Sequence, residues 1–246
     1  MNVRFSRGLR TTAPYDPNRI IQSLWIGDRL SEMEKLCIRS FIANGHEFHL
    51  YLYEKCEGVP EGTIVLDANG IIKESNITGG YHRMNSAFFS DAFRYVMLRQ
   101  KERWWVDLDT ICLRRFDFSD PYVFASEVSI DGLGMMVDNG ILKAPRDSEL
   151  LLRLSKETTP TTFGPGLMTE LTKALDLRQY VRPPAVFTPI MPWLIPRVFI
   201  DPAVEVDLKD AYAVHMWNSS WKYTNKNAAY DPRCLYEKLK RQYPPR

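Results

Sequence analysis

Alternating apolar and polar positions divide the chain into short strand-like runs and longer helix-like ones. "RIIQSLWIG" (19–27) is apolar, rich in β-branched residues and closed by Gly27, which predicts a buried first strand. Over "LSEMEKLCIRSFIANG" (30–45) the apolar residues recur at three- and four-residue steps. That spacing predicts a helix with Ser31 as N-cap, Glu34 three residues on, and Asn44-Gly45 as its stop. "FHLYLYE" (48–54) alternates as a second strand, and "TIVLDA" (63–68) is a short third. This strand, helix, strand rhythm predicts an α/β fold with a mostly parallel sheet flanked by helices.

The next stretch, "GGYHRMNSAFFSDAFRYVMLRQKER" (79–103), reads as a helix from Ser86, with Phe89, Phe93, Val96 and Met97 on its apolar side. Asp91 and Arg94 are three apart and share one side of it. "RWWVDLDTICL" (103–113) predicts a strand with Trp105, Asp107 and Asp109 on one face and Trp104, Val106 and Leu108 on the other. The two carboxylates then point the same way, their Cα atoms about 6.6 Å apart at ~3.3 Å per residue.

"YVFASEV" (122–128) and "GMMVDNGILKAP" (134–145) predict further strands, the second broken near Asp138-Asn139-Gly140. "DSELLLRLSKE" (147–157) and "GPGLMTELTKAL" (164–175) predict helices, with Pro165 in the first turn of the latter. Pro183, Pro184, Pro189, Pro192, Pro196 and Pro202 make 182–202 an ordered but irregular excursion. "YAVHMW" (212–217) is the last strand and "DPRCLYEKLKRQY" (231–243) a terminal helix.

Composition narrows the class. With 246 residues and 45% apolar content, one domain over 1–246 has ample core. Lys plus Arg is 32 against 30 acidic residues, so the net charge of +2 offers no general attraction to nucleic acid, and none is expected as a partner. Cys37, Cys56, Cys112 and Cys234 form no C-x-x-C pair and read as free thiols of a reducing compartment. The start has no signal-like apolar run, and no stretch approaches the roughly 18 apolar residues of a membrane span. A soluble, cytoplasmic protein is expected, which makes the glycosylation patterns at Asn76 and Asn218 chance matches.

Both ends carry basic residues: Arg4, Arg7 and Arg10 at the start, and Lys238, Lys240, Arg241 and Arg246 at the finish. With Leu235 and Leu239, the terminal helix is a candidate for peripheral contact with the inner face of the cell membrane. The plainer expectation is a charged helix packed on the domain through those leucines.

Asp107 and Asp109 are the leading chemical candidates. A solvated strand end explains two aspartates without any function. A D-x-D on one face near a loop also supplies hard oxygen ligands for Mg²⁺ or Mn²⁺, which makes costly carboxylates favourable.

"FSDAFRYVML", then a gap, then "WWVDLDTICLRRF" resembles the core of the retaining nucleotide-sugar glycosyltransferases called family 32, S-D-x-x-R-Y-x-x-L followed by D-x-D. It resembles more distantly the catalytic domains of the clostridial glucosylating toxins. The resemblance is clearest over 88–116. It extends in the family's order through "IIQSLWIG", "FASE", "DNGILKAP", "TFGPGLMTEL" and "VHMWNSSW". Where the family often has Gly-Gly before the D-x-D strand, this chain has Glu102-Arg103, which bears on a turn and not on a ligand.

The resemblance implies a GT-A fold, with about 15–116 binding the nucleotide sugar, 117–230 on the acceptor side, and a C-terminal basic helix over 231–246. It implies that Asp107 and Asp109, with His215, hold Mn²⁺ or Mg²⁺ against the donor diphosphate, and that Asp91 and Arg94 contact the donor sugar. It implies that Trp25 stacks on the base, with Ser23 beside it, and that Trp221 closes over the nucleotide. Asn139, with Asp138, and Glu127 are further candidates for the donor or acceptor pocket, as are Gly164 and Gly166. Asp91, Arg94 and Asp109 are the expected catalytic residues. His46 and His49 read as structural.

The implied reaction transfers a hexosyl group, with retention, from a UDP- or GDP-linked sugar to a glycan or glycolipid, a bacterial surface glycan such as a lipopolysaccharide core. The rivals are a metal-dependent phosphoryl-transfer or hydrolase domain using the same aspartates, and a degenerate transferase fold that only binds glycans.

Overall fold

A computed structural model of the chain describes residues 16–74, 86–129, 134–222 and 224–245. The expectations for residues 79–85, for Asn76, and for Arg4, Arg7, Arg10 and Arg246 lie outside the described residues.

The first half follows the predicted rhythm: β1 (Ile20–Trp25), α1 (Glu32–Ala43), β2 (Glu47–Leu52), β3 (Ile64–Asp67) and α2 (Ser86–Lys101). At the start of α1 the Glu34 carboxylate accepts the Ser31 N–H at 2.7 Å, the backward half of a capping box. Next come β4 (Trp104–Val106), β5 (Thr110–Cys112), β6 (Val123–Val128) and β7 (Met135–Lys143). Then α3 (Glu149–Glu157), α4 (Gly164–Ala174), β8 (Ala213–His215) and α5 (Leu235–Gln242) complete the order. Between α4 and β8 the proline-rich stretch forms only short helical turns, as expected.

Six strands form one sheet in the order β3-β2-β1-β4-β7-β6. The pairs β3–β2, β2–β1 and β1–β4 are parallel, and β7 alone runs against its neighbours. The sheet is therefore the mostly parallel, helix-flanked one predicted. β5 and β8 form a separate antiparallel pair.

Strand alternation builds two cores. Ile21, Phe48, Leu50, Trp104 and Val106 pack with α1, the proline-rich stretch and α5. Leu24, Tyr51, Trp105, Phe124 and Leu142 pack with α2, α3 and α4 on the other face.

Two expectations are corrected. "RWWVDLDTICL" is not one strand. β4 ends at Val106, and the Thr110 N–H donates to the Asp107 carbonyl at 3.1 Å, closing a turn that sends β5 into the second sheet. The chain turns there because the Asp107 N–H is taken by the Gly140 carbonyl of β7 at 2.8 Å, while Thr110 is already opposite His215 of β8. Nor is β7 broken at Asp138-Asn139-Gly140. It is one continuous strand, but its register with β6 jumps from Leu142 opposite Phe124 to Asp138 opposite Ala125, so an irregularity does fall at Asn139 and Gly140.

The terminal helix buries Tyr236 and Leu239, and Leu235 packs partly buried against the same core. Its leucines thus face the domain, as the plainer expectation had it. No helix among the described residues is long and apolar enough to cross a membrane.

Candidate functional site

β1 and β4 run parallel, so Trp25 and the turn holding Asp107 and Asp109 share the carboxyl edge of the sheet, where open α/β sheets bind ligands. Asp107 is held there on one oxygen. Its Oδ1 accepts from Arg94 Nη2 at 2.9 Å and from Trp105 Nε1 at 2.8 Å. Gly140 lies beneath: a Cβ there would meet Asp107 Oδ2 at 3.1 Å and Asp138 Oδ1 at 3.2 Å, so a side chain at this position crowds both carboxylates. Burial pushes the Asp107 carboxyl up to about 6 against the lowering by Arg94.

Asp109 is fixed by the β8 side of the turn. Its carbonyl accepts the Met216 N–H at 2.7 Å, and its Oδ2 accepts the Asn218 N–H at 2.7 Å. Its Oδ1 lies 3.1 Å from Nε2 of His215, whose Nδ1 lies 3.5 Å from Asp138 Oδ2. Trp217, with a left-handed φ of 50°, stacks on the His215 ring at 4.0 Å. Burial raises the Asp109 carboxyl, but the imidazole beside it outweighs this and holds it at about 2. For His215, burial opposes the charged form, and the two aspartates win, raising it well above the usual imidazole range.

One ligand atom from each of Asp107, Asp109 and His215 lies within 4.8 Å of the others. Two carboxylates and an imidazole suit a hard or borderline divalent cation. Asp109 Oδ1 has only the His215 ring beside it, 3.1 Å away, so the carboxylate and the imidazole already converge on one point. The residues present therefore fit a metal.

Asp91 and Arg94 are not a surface ion pair. Both are buried, and Arg94 Nη2 lies 3.2 Å from Asp91 Oδ1. Arg94 also donates to Ser90 Oγ and to the Asn139 carbonyl and lies over the Trp105 ring. It is thus a strut that holds Asp107. Burial raises the Asp91 carboxyl against Arg94 and the Gly164 N–H. Gly164, at φ +71°, starts α4 in a conformation that favours glycine. Asn139 is buried, its Nδ2 donating to the Tyr95 hydroxyl at 2.8 Å.

A cavity of about 330 Å³ opens onto these groups, lined by Ser23, Trp25, Asp91, Arg94, Asp107, Asp109 and Asn139 among others. Ser23 Oγ and Trp25 Nε1 are buried without hydrogen-bond partners among the described residues. Seven of the nine expected site residues thus share one cavity, and His215 joins through Asp109. Trp221 does not. It is buried against Phe199 and Tyr236, and its Nε1 donates to the Met216 carbonyl at 2.8 Å. The expectation that it closes over a nucleotide gives way to a core position. Glu127 and Gly166 also lie outside the lining, and burial followed by Asp138 pushes the Glu127 carboxyl up to about 7.

Several wall residues escaped the sequence reading, Glu34, Asn218 and Phe163 among them. Glu34 reads as a helix cap, Asn218 as a glycosylation match, and Phe163 carries no pattern, yet all line the cavity. The capping pattern reveals only the Ser31 contact of Glu34, because its other partner, Lys226, comes from the far end of the chain.

The family model described as alpha 1,4-glycosyltransferase conserved region matches residues 161–246, which carry His215 and Asn218. No curated protein matches the chain. A solved chain titled PaToxG Glycosyltransferase is 16% identical with a TM-score of 0.48, over 66% of this chain and 74% of that one. The glycosyltransferase GlyE of Streptococcus pneumoniae TIGR4 is 11% identical with a TM-score of 0.49, over 91% of this chain and 60% of that one. The family-model match bears out the resemblance to glycosyltransferases and the expectation of a transferase enzyme, on the α/β sheet described above.

Proposed function

We propose that the chain is a metal-dependent retaining glycosyltransferase that moves a hexosyl group from a nucleotide diphosphate sugar to a hydroxyl of a glycan or glycolipid. The observation that carries this reading is the Asp107–Asp109–His215 cluster, opening on a cavity whose wall also holds the buried Asp91–Arg94 pair.

In this reading Asp107, Asp109 and His215 hold Mn²⁺ or Mg²⁺, whose charge offsets the negative charge that grows on the departing diphosphate. Arg94 keeps Asp107 in place, and the Asn218 N–H does the same for Asp109. Asp91 presents a carboxylate to sugar hydroxyls, held by Arg94 and the Gly164 N–H. Trp25 offers a ring to the base, UDP or GDP, with the Ser23 hydroxyl beside it. In this reading one domain carries the whole site, its cavity wall drawn from both the 15–116 and the 117–230 parts. The acceptor class to test first is a lipid-linked surface glycan such as a lipopolysaccharide core. The exposed Lys238 and Arg241 offer charge to an anionic membrane surface, and a cytoplasmic, membrane-peripheral enzyme follows from that reading.

The test is a panel of UDP- and GDP-linked sugars with Mn²⁺, read by nucleoside diphosphate release with and without glycan acceptors. One donor is expected to give acceptor-dependent release. Asp107→Ala and Asp109→Ala are each expected to lose that release while keeping the parent circular dichroism. Release of free hexose that no acceptor increases would instead favour a hydrolase, and near-normal transfer by either variant would remove the metal assignment.

A further inference from the structure

Resting on the reading of the cavity as a diphosphate site, we propose that Lys226 is a second cationic contact for that anion, held ready at the cavity wall by Glu34.

The charges around the cavity motivate this. Glu34, Asp91, Asp107 and Asp109 line it with Arg94. Arg94 is committed to Asp91 and Asp107. A cation bound by Asp107 and Asp109 would answer that pair. Glu34 remains, a buried carboxylate facing the space an anion must enter. Its Oε2 accepts the Ser31 N–H, and its Oε1 lies 2.6 Å from Nζ of Lys226. The same Nζ donates to Asn218 Oδ1 at 2.9 Å. Both of these partners line the cavity while Lys226 itself does not, so the ammonium waits one hydrogen bond away from the cavity space.

The lysine exceeds what the helix end requires. A glutamate in the first turn, bonded to the N-cap N–H, is already stabilised by the helix terminus. What Lys226 adds is a positive charge between the cavity wall and solvent, its side chain 23% exposed against 2% for Glu34. The backbone that carries it is pinned. Asn227 Oδ1 accepts the Glu32 N–H at 3.0 Å, and the Lys226 carbonyl accepts the Tyr236 hydroxyl at 2.6 Å. Only the flexible four-carbon side chain needs to move. Its three rotatable donors can turn from Glu34 and Asn218 to phosphate oxygens without displacing the loop. Glu34 is then a positioning residue, and Lys226 a binding one.

Titration of the full-length chain with inorganic pyrophosphate in excess Mn²⁺ isolates this contact, since the probe carries neither base nor sugar. Lys226→Met is expected to weaken pyrophosphate binding by about tenfold or more, the scale of one charge-assisted contact. It is expected to flatten the salt dependence and to leave the affinity for Mn²⁺ alone unchanged. Lys226→Arg is expected to recover most of the loss by keeping the charge. Parent-like pyrophosphate binding by Lys226→Met overturns the inference. So does an equal loss of Mn²⁺ and pyrophosphate binding with a lowered melting temperature, which would make Lys226 a structural strut. A parent chain that binds Mn²⁺ but no pyrophosphate overturns the diphosphate reading itself, and this inference with it.

Discussion

Arg94 of α2 and Asp107 of the turn after β4 meet at 2.9 Å, both in the wall of one cavity. The same guanidinium reaches Asp91 at 3.2 Å, so one buried cation serves a buried carboxylate, Asp91, and a part-exposed one, Asp107. Removing one partner of a buried pair typically costs about 3–5 kcal/mol, because the other, here Asp91, stays buried and unpaired. Arg94→Met is expected to lose stability on that scale in urea unfolding. It should also push the Asp107 carboxyl further above its present value of about 6, since Arg94 now lowers it. Protons then compete with a cation at neutral pH, and Mn²⁺ binding should recover as pH rises. A loss under about 1 kcal/mol would mean that Arg94 is no strut.

Trp25 and Trp221 separate two roles for an aromatic ring. Trp25 lines the cavity with its indole N–H unpartnered among the described residues, whereas Trp221 is in the core with its N–H satisfied. Trp25→Ala is expected to weaken nucleotide binding by about 1–3 kcal/mol with little effect on the melting temperature. Trp221→Ala is expected to cost about 3–5 kcal/mol of stability by leaving a cavity. Calorimetry beside nucleotide titration reads both, and the reverse pattern would exchange the assignments.

Glu102 and Arg103 stand where the resembling family often has Gly-Gly, and both have positive φ, 60° and 86°. The turn therefore keeps a glycine-like backbone without glycine, aided by Gln22 Nε2 donating to the Glu102 carbonyl at 2.6 Å. A non-glycine residue in this region costs roughly 1–2 kcal/mol. Changing both to glycine is expected to raise stability by about 1 kcal/mol after the entropy cost of glycine. Chemical denaturation checks it, and a clear destabilisation would show that their side chains do more than tolerate the turn.

His46 is buried with Nδ1 2.9 Å from the Asn18 carbonyl and Nε2 accepting the Phe116 N–H at 3.0 Å. That pattern requires the neutral ring protonated on Nδ1, and burial pushes its pKa down to about 4 from 6.5. The folded value lies below the unfolded one. The contribution is therefore fully present above pH 6.5 and is lost as pH falls toward 4, amounting to roughly 3 kcal/mol at most. Proton-detected imidazole titration should find His46 uncharged at pH 6. A titration midpoint near 6.5 would contradict the buried geometry.

The chain's own pattern determined its elements, the mostly parallel sheet and the aspartates of the site, because these depend on local periodicity. Apolar spacing marked β1, α1, β2 and α2 within a few residues. Asp91 and Arg94 share a helix side through a three-residue step that sequence alone displays. Tertiary structure decided the rest. "RWWVDLDTICL" reads as one strand because every residue in it suits a strand. Only the pairing of Asp107 with β7 and of Thr110 with β8 divides it. Trp221 went to the core because Phe199 and Tyr236 are there to receive it. Glu34 faces Lys226 across 192 positions of chain. No local propensity records which distant side chain will sit opposite a carboxylate, since that depends on how both sheets and the terminal segment pack together.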